Sequence, residues 1–264
     1  MAVLFYGGKP YTGLTAQYVS NPNLIINPDF KINQRGNTSW STSSQQGAII
    51  AASQIYTVDR WRIMSGSASI VDGVFTLNGT IQQVIEADVG DVFTASMYIV
   101  SGTAAISYDS DTKKVTVTGE NAVIKWVKLE ASGIATAFTP PDPATEMLKC
   151  QRYYQSLTSI PLMGVATTTS VIRVALSTYC QMRTLQKASL ECSNSAGTWS
   201  MTIVPTDGSE NIAVASAPTI AAIHRVGSEL NASITIPDAP LTAWRSYILT
   251  WVGDTKFILD AEIY

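Results

Sequence analysis

The chain is predicted to be all-β: two antiparallel β-sandwich or jelly-roll domains joined by a proline-rich corner and a short helix. Three observations predict this. Short apolar runs with period-two alternation recur along most of the 264 residues, each closed by Gly, Asn-Gly, Asp-Gly or Pro. The pattern breaks between Leu129 and Gln155, where prolines and a helical spacing replace it. The composition is 46% hydrophobic but only 14% charged, which suits packed cores and not a disordered chain.

Residues 1–22 contain Gly7, Gly8, Pro10, Gly13 and Pro22, which interrupt any long element, and are read as an attachment segment. Residues 23–139 are read as the first domain. Leu24-Ile25-Ile26 is an apolar run stopped by Asn27-Pro28-Asp29, and a polar loop spans residues 33–46. Phe75-Thr76-Leu77 and Thr80-Ile81 flank Asn78-Gly79, which predicts a hairpin, since Asn-Gly supplies the positive φ values of a type I′ turn. The alternation over residues 93–100 predicts a half-buried strand, and residues 115–118 and 123–129 two further strands.

Residues 140–155 form the linker. Pro140, Pro141 and Pro143 exclude a sheet or helix interior. Asp142 reads as an N-cap and Pro143 as the first helical residue. Met147, Leu148, Cys150, Gln151 and Tyr154 are spaced as an apolar stripe on that helix. Residues 156–264 repeat the β style, with strands predicted over 171–176, 198–204, 212–215, 232–236, 247–252 and 257–263, and turns at Asp207-Gly208 and Gly253-Asp254. The last of these strands leads to the expectation that the terminus lies in a sheet.

Several function classes are disfavoured. Net charge is −3 with no basic cluster, against a nucleic-acid binder. No apolar run approaches a membrane span. The opening MAVLFYGG has no basic lead and too short an apolar core for a signal peptide, and the odd count of cysteines (Cys150, Cys180, Cys192) suits reduced thiols and assembly in a cytoplasm. Their spacing is not that of a zinc site. The single histidine, His224, has no GxSxG partner, no carboxylate pair stands out, and phosphate-binding glycine patterns are absent. No catalytic residue is assigned and no enzyme is expected. So weakly charged a surface favours a homo-oligomer.

Four phrases carry a resemblance: NLIINPDFKINQRG (residues 23–36), YTVDRWR (56–62), VKLEASGIATAFTP (127–140) and CQRYYQ (150–155), followed by the ending LDAEIY. In this order the chain resembles bacteriophage and prophage tail-fibre or tail-tip proteins with a jelly-roll domain similar to carbohydrate-binding modules. The resemblance implies a virion protein assembled in the bacterial cytoplasm, a homotrimer, docked to other tail proteins through residues 1–22, and holding a host surface polysaccharide. The alternative is a structural head-fibre, decoration or adaptor protein without a sugar site.

Sugar sites need flat rings and planar polar groups. Trp40, in a Ser/Thr-rich loop, is expected to be exposed; with Tyr56, Trp199 and Trp244 it forms the candidate glycan-binding set, whereas Trp61, Trp126 and Trp251 are expected in the cores. Asp59-Arg60 is read as a buried ion pair. Asp29 and Glu130 are the two carboxylates that could hold a structural calcium ion of the kind such modules carry, although calcium needs six to eight oxygens. No other cofactor is expected.

Overall fold

The computed structural model describes residues 5–6, 9–10, 20–42, 56–158, 161–183, 187–191, 201–207, 209, 211–214, 216–226, 229–237, 239–251 and 256–262. Every strand pairing among them is antiparallel, and one helix is present, as the alternation predicted.

A two-residue ribbon, β1 (Phe5–Tyr6) with β2 (Lys9–Pro10), comes first. Then β3 (Ser39–Ser41), β4 (Arg62–Val71), β5 (Val74–Val84), β6 (Thr94–Asp109) and β7 (Lys114–Glu130) build a five-stranded sheet in the order β3-β4-β5-β7-β6. After helix α1 (Pro143–Gln151) come β8 (Tyr154–Thr158), β9 (Leu162–Ala166), β10 (Val171–Leu176), β11 (Lys187–Glu191), β12 (Met201–Pro205), β13 (Ile212–Val214), β14 (Thr219–Val226), β15 (Glu229–Thr235), β16 (Ser246–Trp251) and β17 (Lys256–Asp260). They form a seven-stranded sheet, β13-β12-β16-β9-β10-β15-β14, and a three-stranded one, β11-β17-β8. Strands β3, β4, β8, β9, β11 and β14 lie outside the predicted runs.

Two apolar clusters result. The first spans Ile25 to Leu129 and includes Phe30, stacked on Phe75 at 4.2 Å and tilted on Trp61 at 5.3 Å. The second spans Leu157 to Ala261. Rings of this size, fully buried, each stabilise the fold by roughly 1.5–3 kcal/mol through removal of apolar surface from water. Among the described residues the first sheet has no second sheet opposite it. Its inner face is covered instead by irregular segments carrying Ile25, Phe30, Val58 and Trp61.

That irregular layer is held by side chains. Asn27 is fully buried with φ 54°, a left-handed conformation that asparagine tolerates. Its Nδ2 donates to the carbonyls of Ile32 (2.8 Å) and Asp59 (3.0 Å), and its Oδ1 accepts from Ile32 N (3.0 Å). Its carbonyl accepts from Trp61 Nε1 (3.0 Å) and its own N–H donates to Glu146 (2.6 Å). Asn23 does the same for β7: its Nδ2 donates to Val127 O and its Oδ1 accepts from Leu129 N.

Three local readings are corrected. Asn78-Gly79 is not a turn: β5 runs straight through it, and the hairpin to β4 closes at Asp72-Gly73, both with positive φ as a type I′ turn requires. Gly79 instead marks a register shift where two backbones touch; a Cβ there would lie 2.1 Å from Ser65 O. The runs at 115–118 and 123–129 are one strand, β7, and the register with β6 slips between Tyr98–Trp126 and Ile99–Ile124. That slip swaps the parity of β7, so Ile124, Val127 and Leu129 all face the core while Trp126 does not.

The linker helix begins as expected: Asp142 accepts from Thr145 N at 2.8 Å and Pro143 starts the helix. Its buried residues are Glu146 and Cys150, however, while Leu148 is half exposed. Glu146 is buried because it has partners: the Asn27 N–H and Lys149 Nζ (2.9 Å). The helix is therefore fastened to the irregular layer by the Asn27–Glu146 hydrogen bond, and Cys150 is buried beside it.

Candidate functional site

The phrases that stand out in the sequence meet at one place. Arg35 and Gln34, Asp59 and Arg60, Tyr153 and Tyr154, and Asp260 and Glu262 form a buried polar junction between the irregular layer and the β17 end. Arg60 Nη1 donates to Glu262 Oε2 at 2.5 Å and its Nη2 to Val84 O at 3.0 Å, and its guanidinium lies 3.5 Å from the centre of the Tyr153 ring. Arg35 stacks on Tyr154 at 3.9 Å and sits 3.4–3.7 Å from Asp59, Asp260 and Glu262. Gln34 Nε2 donates to Asp59 Oδ2 (2.6 Å) and to Tyr154 O (3.0 Å).

Burial sets the electrostatics here. It pushes the Asp59 carboxyl up to about 6, with Arg35 and the Gln34 hydrogen bonds pulling the other way. For Arg60, burial works against the charge, but Glu262 and the two tyrosines outweigh it and the pKa rises. Burial first, then Glu262, raises Tyr56. Asp59, Arg60 and Glu262 are at most 1% exposed, so these three offer no surface to a ligand, while Arg35 and Asp260 are part-exposed at the rim. Asp59-Arg60 is a buried charged pair of neighbours as read from the sequence, but the ion-pair partner of each lies elsewhere.

The other predicted residues scatter. Trp40 is in β3 opposite Ala68 and only 6% exposed: the loop around it is polar, but its ring packs in the first cluster, correcting the expectation of exposure. Tyr56 is buried at the junction, 5.1 Å from Arg35, and so has no face free for a sugar. Trp199 lies outside the described residues. Glu130 is fully buried and its oxygens are taken: Oε1 accepts from Thr136 N (2.8 Å), Oε2 from Thr136 Oγ1 (2.6 Å), and Lys128 Nζ is 3.2 Å away. Burial alone would raise its pKa, and these partners hold it below the usual value. Asp29 pairs with Lys31 at 2.8 Å. The residues present do not fit a calcium ion shared by Asp29 and Glu130, and no three metal-ligating side chains gather among the described residues.

Trp126 is the aromatic that the sequence reading misplaced. It is half-buried, stacked on Phe138 (4.7 Å, 2° between planes) and beside Tyr98 of the neighbouring strand (6.2 Å, 22°). With Asp29, Lys31, Val74, Lys125, Phe138 and Pro140 it lines a recess of about 440 Å³. Phe138 covers one of its ring faces. The neighbouring Lys125, which is exposed, was the available signal that this stretch of β7 is not core on both sides.

Trp244 is different. It is 80% exposed and holds φ 67°. Arg245 N donates to Thr242 O (3.2 Å), so Trp244 stands at the third position of a β-turn, where a positive φ is normally left to Gly or Asn. The turn is clipped on both sides of Ala166: Trp244 N donates to Ala166 O (2.7 Å) and Ala166 N to Arg245 O (2.9 Å). Next to it, Arg245 donates to both Asp207 oxygens and to Ser209 Oγ, and its guanidinium lies 5.8 Å from the Tyr247 ring centre. An exposed indole beside a fixed Arg-Asp-Ser group combines a flat apolar face with oriented polar atoms.

No protein-family profile, curated protein or solved structure matches the chain.

Proposed function

We propose that this is a non-enzymatic virion protein of the bacteriophage tail-fibre or tail-tip kind, holding a glycan of the host surface for adsorption. In this reading the two apolar clusters are the cores of two jelly-roll-like domains, residues 23–139 and 156–264. Residues 1–22 attach the protein to other tail proteins, and copies assemble as a homo-oligomer. Linked weak sites gain steeply in avidity, by ~10²–10⁴ where the geometry allows simultaneous contact.

The observation that carries the reading is Trp244. A large apolar ring held 80% in solvent on a left-handed backbone costs stability and is retained against that cost. Stacking on the apolar face of a pyranose is the chemistry such a ring serves, with Asp207, Ser209 and Arg245 within reach of hydroxyls. The recess beside Trp126 is a second contact in this scheme. The test is a glycan array and tryptophan fluorescence titration with host polysaccharide: Trp244→Ala is expected to abolish binding with an unchanged melting temperature. Unchanged binding in Trp244→Ala and in Trp126→Ala removes the glycan reading.

One observation favours a structural head-fibre, decoration or adaptor protein: three of the four phrases that carry the resemblance, with the LDAEIY ending, contribute the buried junction, so they speak for a frame more directly than for a site. Incorporation into particles without binding to any host polysaccharide would decide for it.

A further inference from the structure

Among the described residues strand β6 is an edge of the five-stranded sheet: one side pairs with β7, and the backbone N–H and C=O groups of the other side meet no described strand. Long edge strands are normally guarded by lysine, proline or other charge, because a bare edge templates pairing. The β6 sequence, TASMYIVSGTAAISYD, has no Lys, Arg, Glu or Pro, and its one charge, Asp109, is its last residue. Register shifts between Tyr98 and Thr103 bend its first half away from regular pairing. From Thr103 to Asp109 the register is uninterrupted, so this arm is straight. None of its residues is buried; Ala104, Ile106 and Tyr108 pack on the first cluster but remain half exposed.

The geometry points to a second copy of this chain on the arm, two arms pairing antiparallel across a two-fold axis at Ile106. The occupant follows from the arm's self-complementarity. In this register Ile106 faces its own copy, Ala104 faces Tyr108, Ala105 faces Ser107 and Thr103 faces Asp109. On the inner face a large ring meets a small side chain twice, flanking the isoleucine pair. On the outer face small residues meet, and each carboxylate meets a hydroxyl; no like charges oppose. Moving the axis one residue, to Ala105, shortens the straight overlap and sets Tyr108 against Gly102 in the bent part. A two-fold contact of one edge with itself closes at two copies, unlike the trimer that the resemblance implies. The overlap is short beside the roughly 20–30 residues a side of a standard interface, so the dimer is reversible and concentration-dependent. This inference does not rest on glycan binding.

Sedimentation and light scattering of the full chain over a concentration series test it. The wild type is expected to rise from its 28.4 kDa chain mass towards twice that value. Ala105→Lys/Ser107→Lys opposes lysine to lysine twice at exposed positions and is expected to stay monomeric with an unchanged melting temperature. Ala105→Lys/Ser107→Asp, which opposes unlike charges in this register only, is expected to restore the dimer. A wild type monomeric at every concentration, a trimer, or a lysine variant that still dimerises overturns the inference. So does a monomer in which the 103–109 amides that point away from β7 resist hydrogen exchange, since another part of the chain then covers the arm.

Discussion

Two arginines in this molecule make the same kind of bond to a carboxylate in opposite surroundings. Arg60 pairs with Glu262 where both are at most 1% exposed, and Arg245 pairs with Asp207, which is more than half exposed. In the first case water is excluded, so each charge depends wholly on its partner. In the second, water and salt compete for both groups, and the bond orients the guanidinium without contributing much to folding. The first arginine belongs to the frame, and the second to a surface that can meet something else.

Glu262→Ala presses hardest on this contrast. It leaves Arg60 buried without a counter-ion, and chemical denaturation is expected to show a loss of about 3–5 kcal/mol. Asp207→Ala is expected to leave the unfolding midpoint where it was while weakening any glycan binding at Trp244. Equal effects of the two substitutions would erase the distinction.

The pH dependence of stability sharpens the same comparison. Asp59 binds its proton more tightly folded, at about 6, than in an unfolded chain, near 3.8. Its contribution is therefore fully present below the unfolded value and is lost as pH rises through 6, an effect on the order of 2–3 kcal/mol at most. Melting temperature is expected to fall between pH 5 and pH 7.5, and Asp59→Asn to flatten that slope. Asp207 has the opposite sign: Arg245 and the Ser209 N–H hold its carboxyl below the ordinary range, so whatever it contributes is present at neutral pH and disappears on acidification.

A smaller effect, of opposite sign, is expected at Trp244. Replacing it with glycine removes a side chain from a left-handed position that glycine occupies freely, and thermal denaturation is expected to show a slight gain, roughly 0.5–1 kcal/mol. Binding would be lost in the same variant. A stabilised protein that no longer holds its ligand is the behaviour of a functional residue kept against folding.

Local chemistry was readable in the sequence, and convergence was not. Asp142 before Pro143 announces the helix because capping involves atoms three residues apart. The strand over residues 171–176 is where alternation put it. Turn chemistry misled at Asn78-Gly79 because Asp72-Gly73, six residues earlier, obeys the same rule and closes the hairpin first, leaving Gly79 to serve a backbone contact. Trp40 misled because polar neighbours in sequence say nothing of the cluster that its ring reaches. The junction has no short-range trace: Arg35, Arg60, Tyr153 and Glu262 acquire meaning only when four distant segments are brought together. Trp126 turned outward because one slipped residue changed the parity of a strand.

The counter-ion of Arg60 lies 202 residues further along the polypeptide. At typical rates of translation, about 5–20 residues per second, the ribosome needs roughly 10–40 s to supply it. Through that interval the irregular layer over the first sheet can assemble its aromatic stack but not lock its guanidinium, so the early part of the chain waits, incompletely fastened, for the late part to emerge.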